Sequence, residues 1–377
     1  MGACMKNSMK KGLFCALLVL VASVSAYAKM PLEFSGNIKL GYDFNLTDGK
    51  WVAYPWNNTT TKSGSGKMAG YMAHVVVKND FFDLTLDPTY TPTTVSSTSV
   101  ASSVQGFADG YLNAWGHVYI GNIIKDSGID IGGFDLVLAG GNDGTKYSLS
   151  VYADPFGTLS WNSYKLSCIS NYAFSVKLSW AQYIDLFVTC DPTRLLNATK
   201  NTDSYMASLR VTPMTGLRFT GGYAGYSANK HTENGHVAKE NNGAVYGQGI
   251  ANFQKLFDMS FPLRLSLDDS YYLTEKLNYL SVALETGYKD FYLDTEWQYW
   301  NQYHNLLARL SWRGVEALDL SLKLKVENLN PSATYKTAYT LTPKVDYTVH
   351  DITFGLETEY AFETKVLDLK PYVKYSF

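Results

Sequence analysis

The last twelve residues, 366–377, constrain the fold of this chain more than any other segment. Apolar and polar side chains alternate through this segment to its end, and the apolar set is Leu367, Leu369, Pro371, Val373, Tyr375 and Phe377. Successive side chains of a β-strand point to opposite faces, so the segment is predicted to be a strand with one apolar and one polar face. The termini of soluble domains usually fray. A strand that is apolar to its last residue is instead typical of a closed barrel, where the final strand must be fully paired.

The same two-residue period recurs along the chain. It is found at 32–45, 146–154, 172–180, 217–223, 261–268, 318–327 and 352–360. Segments of about 9–12 residues match a tilted strand that crosses a bilayer. Their polar faces carry charges of both signs, which a water-filled lumen accepts and a buried soluble core does not. The alternative is a soluble β-sandwich in which each strand has one solvated face.

Turn signals indicate the size and topology of the predicted barrel. Short connections are expected at 79–80, 154–157, 213–216, 288–290, 313–317 and 350–351, and longer polar ones at 47–67, 88–105, 191–202 and 227–243. Short turns at one end and longer loops at the other are typical of transmembrane β-barrels. We therefore predict an all-β fold, a transmembrane antiparallel β-barrel of about 16–20 strands.

The amino terminus carries the features of a secretory signal peptide. A basic stretch at 6–11 precedes an apolar stretch at 12–23, and Ala26-Tyr27-Ala28 follows as a cleavage site of the A-x-A type. We predict a signal peptide at 1–28 and a single barrel domain at 29–377, with no amino-terminal plug before the first strand. No later segment has the roughly 18 consecutive apolar residues of a membrane-spanning helix.

Composition agrees with a membrane barrel. Charged residues make up 18% of the chain, against about 25% in ordinary soluble proteins. Aromatic residues reach 15%, with 29 tyrosines, and tyrosine suits the membrane interface because its ring is apolar and its hydroxyl is polar. The net charge of −2 gives no indication of a nucleic-acid partner.

With its terminal pattern of Val373, Tyr375 and Phe377, the chain resembles Gram-negative-type outer-membrane β-barrel proteins, and most of all the general porins. The resemblance implies an integral protein of the bacterial outer membrane, surrounded by its lipids. It also implies that Tyr375 and Phe377 belong to a signal recognised by periplasmic chaperones and the outer-membrane assembly machinery. Pro371 departs from the pattern because it cannot donate a ladder hydrogen bond, and we expect a β-bulge there.

Charged residues on the predicted inner face are the candidates for a pore lining. They are Lys39, Arg210, Arg218, Arg264, Asp268, Glu285, Asp294, Glu296, Arg309 and Lys323. Rings of charge set the ion preference of pores, and the near balance of signs predicts weak selectivity. The four arginines are expected to form a basic patch. The alternative is that these charges pair across neighbouring strands and neutralise each other.

Three loop features carry weaker expectations. Residues 88–105 are rich in serine and threonine, and either fold into the mouth as a constriction or form a surface loop. Cys168 and Cys190 are the two cysteines outside the signal peptide, and either form a disulfide in an oxidising compartment or remain two separate thiols. His231, Glu233 and His236 are metal-ligand types close in sequence, but nothing in the sequence holds them together, so no metal site is predicted.

The function predicted from these features is passive diffusion of small hydrophilic solutes through an outer-membrane porin-like channel. One alternative is a surface adhesin or receptor with a blocked pore. Another is a transporter of hydrophobic compounds, at which the aromatic cluster Trp297, Tyr299, Trp300 and Tyr303 hints, although an outer aromatic girdle explains that cluster as well. No catalytic motif is found, so we expect no enzyme and no cofactor, and a homo-oligomer remains open.

Overall fold

The computed structural model describes residues 32–47, 49–53, 70–71, 73–90, 112–141, 173–190, 205–225, 231–233, 236–238, 243–274, 276–300, 303–330 and 336–377. Its elements are β1 (Glu33–Asn45), β2 (Lys50–Ala53), β3 (Gly70–Tyr71), β4 (Ala73–Lys78), β5 (Phe82–Tyr90), β6 (Leu112–Tyr119), α1 (Ile120–Asp126), β7 (Phe134–Gly141), β8 (Ala173–Trp180), β9 (Ile184–Cys190), β10 (Tyr205–Met214), β11 (Leu217–Ala224), β12 (His231–Glu233), β13 (His236–Ala238), β14 (Ala244–Asn252), α2 (Phe253–Phe257), β15 (Leu263–Tyr272), β16 (Leu277–Tyr288), β17 (Phe291–Trp300), β18 (Tyr303–Val315), β19 (Leu318–Glu327), β20 (Ala338–Val349), β21 (Ile352–Ala361) and β22 (Val366–Ser376). Neither α1 nor α2 is long and apolar enough to cross a membrane.

Eighteen of these strands close into one antiparallel ring. Neighbours in sequence pair from β4 to β11 and from β14 to β22, β11 pairs with β14, and β1 closes the ring by pairing with β4 and β22. The short strands β2 and β3 join the sheet beside β1 and β5 without widening the ring, and β12 and β13 form a separate hairpin. Subtracting these four from 22 strands leaves 18, which confirms the predicted barrel and its size.

The predicted strands match described strands with one exception. The segments 32–45, 172–180, 217–223, 261–268, 318–327, 352–360 and 366–377 correspond to β1, β8, β11, β15, β19, β21 and β22. The segment 146–154 and the turn at 154–157 lie outside the described residues. Because β7 pairs directly with β8, the ring closes without a strand from that segment.

The predicted segregation of short turns and long connections holds only in part, because connections of four residues or fewer at 273–276, 301–302 and 362–365 lie at the end opposite the carboxyl terminus, and the longer connections 120–133 and 253–262 lie at the carboxyl-terminal end. The turns at 79–81, 215–216, 289–290, 316–317 and 350–351 share the end that holds the carboxyl terminus. Helices α1 and α2, which the sequence did not predict, lie in two further connections at this same end. The predicted long loops fall mostly outside the described residues, at the other end.

Burial along the strands is the reverse of that in a soluble protein. Leu267 on the apolar face of β15 is 53% exposed, whereas Asp268 on the polar face is 0% exposed. Phe34, Leu40 and Phe354 are likewise exposed apolar side chains. An exposed apolar belt around a closed ring is stable only in lipid, where closure also leaves no sheet edge unpaired. The barrel is therefore transmembrane, with its polar face turned inward.

The terminal strand is paired along both edges, as far as Ser376 on the β21 side and Phe377 on the β1 side. Phe377 exchanges two backbone hydrogen bonds with Gly36, at 2.8 and 3.0 Å. The expected bulge at Pro371 is wrong, because the register with β21 is the same on both sides of the Leu356–Pro371 pair. An antiparallel strand bonds each residue to one neighbour only, so a proline removes a single ladder bond and need not shift the pairing.

Candidate functional site

A row of charged residues crosses five neighbouring strands on the polar wall. The register places Arg264, Glu285, Asp294, Arg309 and Lys323 opposite one another in that order, from β15 to β19. Arg264 donates two hydrogen bonds to Glu285, and its Nε lies 2.6 Å from Glu285 Oε1. Nη2 of Arg309 lies 2.8 Å from Asp294 Oδ2. Both arginines are therefore neutralised by acids on neighbouring strands.

The predicted basic patch is consequently divided. Arg210 and Arg218 are close enough to repel each other, and Arg218 is similarly close to Arg264. The acids Glu285 and Asp294 then separate this group from Arg309. Cross-strand pairing, the alternative for these charges, thus describes Arg264 and Arg309, and also Arg210, whose Nη1 lies 3.9 Å from Asp185 Oδ2 on β9. Paired charges attract passing ions less than unpaired ones do.

Two predicted wall acids, Asp268 and Glu296, have no exposed surface. Ser266 Oγ donates to Asp268 Oδ2 at 2.9 Å. Glu296 Oε1 accepts from Ser281 Oγ at 2.7 Å and from Gln298 Nε2 at 3.0 Å. These hydroxyl and amide donors offset part of the cost of burying a carboxylate. Around Asp268 and Glu296 the inner wall is therefore shielded from water.

A polar recess lies next to the charged row, on β18, β19 and β20. Its lining is Arg309, Ser311, Arg313, Asp319, Ser321, Lys323, Lys344 and Asp346. Arg313 lies 3.1 Å from Asp319, and Lys344 lies 2.5 Å from Asp346. Four cations and two acids line the recess, so cations outnumber acids there.

The last predicted cation, Lys39, lies at the seam where β22 meets β1. Its Nζ lies 3.7 Å from the ring centroid of Tyr372 on β22. The Tyr372 hydroxyl donates a hydrogen bond to Asp346 on β20, across the intervening strand β21. The ring passes over Gly355 of β21, where any side chain would collide with it. One tyrosine thus connects the first strand with the last three.

A buried lysine joins the last two strands, β21 and β22. Lys370 on β22 is 1% exposed, and its Nζ lies 2.8 Å from Glu359 and 4.0 Å from Glu357, both on β21. A buried ammonium without partners would be strongly destabilising, so the two carboxylates are required by its position. Lys370 and Tyr372 occupy the polar face that the terminal sequence pattern predicts.

Two histidine–aspartate pairs occupy the wall on β4, β5 and β6. His74 Nδ1 lies 2.6 Å from Asp87 Oδ1, and His117 Nδ1 lies 2.8 Å from Asp83 Oδ1. The Tyr119 hydroxyl donates to the other oxygen of Asp83. No local motif marks these partners in the sequence, because strand pairing brings them together. Each carboxylate fixes the orientation of its imidazole.

Comparison with known proteins identifies the fold. No protein-family model matches the chain, and no curated protein matches it. Similar solved structures include Pseudomonas aeruginosa OpdL, at 9% identity and a TM-score of 0.53, covering 92% of this chain and 98% of that one. Acinetobacter baumannii OccAB4 has 11% identity and a TM-score of 0.52, covering 92% and 98%. Pseudomonas aeruginosa OccK3 has 8% identity and a TM-score of 0.52, covering 92% and 95%.

This is a porin-like outer-membrane β-barrel. At such low identity the likeness shows the fold alone. The membrane location agrees with the exposed apolar belt and the closed ring, which are features of outer-membrane-type barrels.

The aromatic cluster that hinted at transport of hydrophobic compounds lies near the end of the barrel opposite the carboxyl terminus. Trp297 and Tyr299 of β17 surround His304 of β18, with ring centroids 5.6 and 5.1 Å from the imidazole. Trp297 and Tyr299 alternate along β17 with the buried polar residues Glu296 and Gln298, as residues of an outer aromatic girdle do. Trp300 and Tyr303 form the last pair of these two strands.

The loop predictions stay open. Cys190 ends β9, whereas Cys168 lies outside the described residues, so the disulfide remains a prediction. Residues 88–90 belong to β5, and 91–105 lie outside the described residues. Among the described side chains, no group of three histidine, cysteine or acidic residues is arranged to hold a metal ion.

Proposed function

We propose that this barrel is a passive diffusion channel for small hydrophilic solutes in the bacterial outer membrane. The observation that carries the proposal is the reversal of burial around a closed ring of 18 strands. The outer face is apolar, and the inner face carries the charges. A ring of 16 or more strands is wide enough for an aqueous channel unless its loops fill it.

Solutes would be selected by size and, weakly, by charge. The ten proposed pore-lining residues comprise six cations and four acids, and the paired ones compensate each other within the wall. The recess on β18 to β20 is lined by four cations and two acids. We therefore expect slight anion preference at most, since fields from paired charges fall off rapidly in water.

The proposed partners follow from the two faces and the carboxyl terminus. Membrane lipids contact the apolar belt, and small hydrophilic solutes contact the wall. The assembly machinery would recognise the terminal strand through Tyr375 and Phe377, whose rings are half-exposed on the apolar face.

A specific observation also favours the blocked-pore alternative, in which the loops act as an adhesin or receptor. Asp268, Glu296 and Ser281 are wall residues with no exposed surface, whereas a wide open pore would hydrate its wall. The two functions therefore differ in whether ions can still pass through the lumen where Asp268, Glu296 and Ser281 are shielded from water.

Single-channel recording of the refolded mature protein in a planar bilayer tests the proposal. Stepwise, ohmic openings on the order of nanosiemens are expected of an open pore of this strand number. Folding is checked independently by the shift in electrophoretic mobility between unheated and boiled samples. A barrel that shows this shift, inserts, and passes no current would contradict the channel proposal and favour the blocked-pore alternative.

A further inference from the structure

Two carboxylates are enclosed near each other in the inner wall, on β15 and β17. Neither Asp268 nor Glu296 has any exposed surface, and the two are close enough to repel each other. Arg218 attracts Asp268 from β11, but none of the ion pairs among the described residues includes Asp268. A carboxylate that is buried without an ion pair is strongly destabilising, and a second carboxylate nearby adds to that cost. Asp268 therefore carries a negative charge that no described side chain neutralises.

Two oxygen atoms at this place in the wall also lack hydrogen-bond partners. Asp268 Oδ2 accepts from Ser266 Oγ at 2.9 Å, whereas Asp268 Oδ1 is buried and has no partner. Ser270 lies two residues further along the same face of β15, is 1% exposed, and has a hydroxyl oxygen that is likewise buried without a partner. Buried polar atoms are nearly always hydrogen-bonded, and an exception calls for an explanation such as a bound ion. The unpartnered hydroxyl of Ser270 thus supports the charge argument independently.

Strand pairing brings further oxygen atoms to Asp268. Ser281 on β16 lies directly opposite Asp268, and the Cβ atoms of such a pair are about 5 Å apart. Ser281 Oγ donates its proton to Glu296 Oε1 at 2.7 Å, which leaves the lone pairs of the hydroxyl for another group. Gln298 Nε2 donates to the same oxygen of Glu296 at 3.0 Å and helps to fix the carboxylate. Oxygen atoms therefore gather on one part of the inner wall, and they belong to Asp268, Ser270, Ser281 and Glu296.

We propose that the inner wall holds a Ca²⁺ site formed by Asp268, Ser270, Ser281 and Glu296. Calcium takes about 6–8 oxygen ligands in a flexible geometry, so two carboxylates, two hydroxyls and water supply its shell without a third acid or a histidine. The ion would neutralise Asp268 and give the unpartnered oxygens of Asp268 and Ser270 a partner. It would also cross-link β15, β16 and β17. The proposal does not depend on whether the barrel conducts.

Equilibrium dialysis of the refolded full barrel in detergent against radiolabelled CaCl₂ tests the proposal. The protein is refolded in the presence of the ion, because a site without exposed surface would exchange its ion slowly. We expect one ion per barrel. Asp268→Asn keeps the size of the side chain and removes its charge, so it should weaken binding about tenfold or more. Ser270→Ala, which removes one neutral ligand, should weaken binding by a smaller factor.

Asp319→Asn is the matched control, because it removes the same charge from the inner wall, at the exposed ion pair with Arg313. It should bind Ca²⁺ as the parent does, which separates a defined site from a general attraction of cations to the wall. CaCl₂ should also raise the unfolding temperature of the parent and of the control, but not that of Asp268→Asn, since only an ion that binds the folded state stabilises it. Absence of stoichiometric binding in the parent protein, or unchanged affinity in Asp268→Asn, would overturn the proposal.

Discussion

Replacing Gly355 by alanine is expected to loosen the seam that closes the barrel. Gly355 lies on β21 beneath the ring of Tyr372, and an added Cβ would overlap the ring carbons. The ring would have to leave its position. The hydrogen bond from the Tyr372 hydroxyl to Asp346 and the contact of Lys39 with the ring face would then be lost together.

The size of the effect follows from these two contacts. A hydrogen bond to a charged group contributes about 1.5–3 kcal/mol, and a partly desolvated cation–π contact contributes about 0.5–2 kcal/mol. Asp346 retains Lys344 at 2.5 Å, so the carboxylate is not left unpaired. We therefore expect Gly355→Ala to lower the free energy of unfolding by about 2–5 kcal/mol. Tyr372→Phe, which removes only the hydroxyl, should cost about 1.5 kcal/mol.

Equilibrium urea unfolding of the barrel in lipid vesicles measures these differences. Gly247→Ala on β14 is the matched control, because the nearest atom to its added Cβ lies at 4.0 Å. Its effect should stay within about 0.5 kcal/mol. The two seam substitutions should also be non-additive, since Gly355→Ala already breaks the bond that Tyr372→Phe removes.

Two results would refute this reasoning. One is a Gly355→Ala barrel as stable as the Gly247→Ala control. The other is a double variant, Gly355→Ala with Tyr372→Phe, whose loss of stability equals the sum of the two single losses. Either would show that the tyrosine does not connect the strands through its ring and hydroxyl.

Two further predictions concern the outer face and the wall. Leu267→Arg places a charge on the lipid face of β15 and should cost about 2–4 kcal/mol in vesicle unfolding, whereas Leu273→Arg, in the turn after β15, should cost about 0–1 kcal/mol; equal costs would contradict the assigned membrane belt. Arg309→Gln should shift the reversal potential in a salt gradient toward cation preference, and adding Asp294→Asn should return it toward that of the parent, because the double change removes a neutral pair. A shift that persists in the double variant would show that the pair does not act as one unit.

The sequence by itself determined the class of the fold and the face of each side chain. Alternation is a local property, since every residue of a strand points opposite to its neighbour whatever the partner strand. For this reason the polar face of β22, with Lys370 and Tyr372, and that of β15, with Arg264 and Asp268, could be assigned without a structure. Several tight turns, such as those at 79–81, 289–290 and 350–351, could be assigned for the same reason, because their conformation depends on a few adjacent residues, although the connections at 181–183, 301–302 and 362–365 were not predicted.

Only the tertiary structure decided which wall residues meet. Contact between Lys39 and Tyr372, at the two ends of the chain, depends on how the ring closes. The pairing of Arg264 with Glu285, and the division of the expected basic patch by Glu285 and Asp294, depend on the register of each strand pair. Register in a barrel is fixed by the number and stagger of all the strands together. A local period carries no such information, and the partners of the wall charges therefore followed from the closed ring.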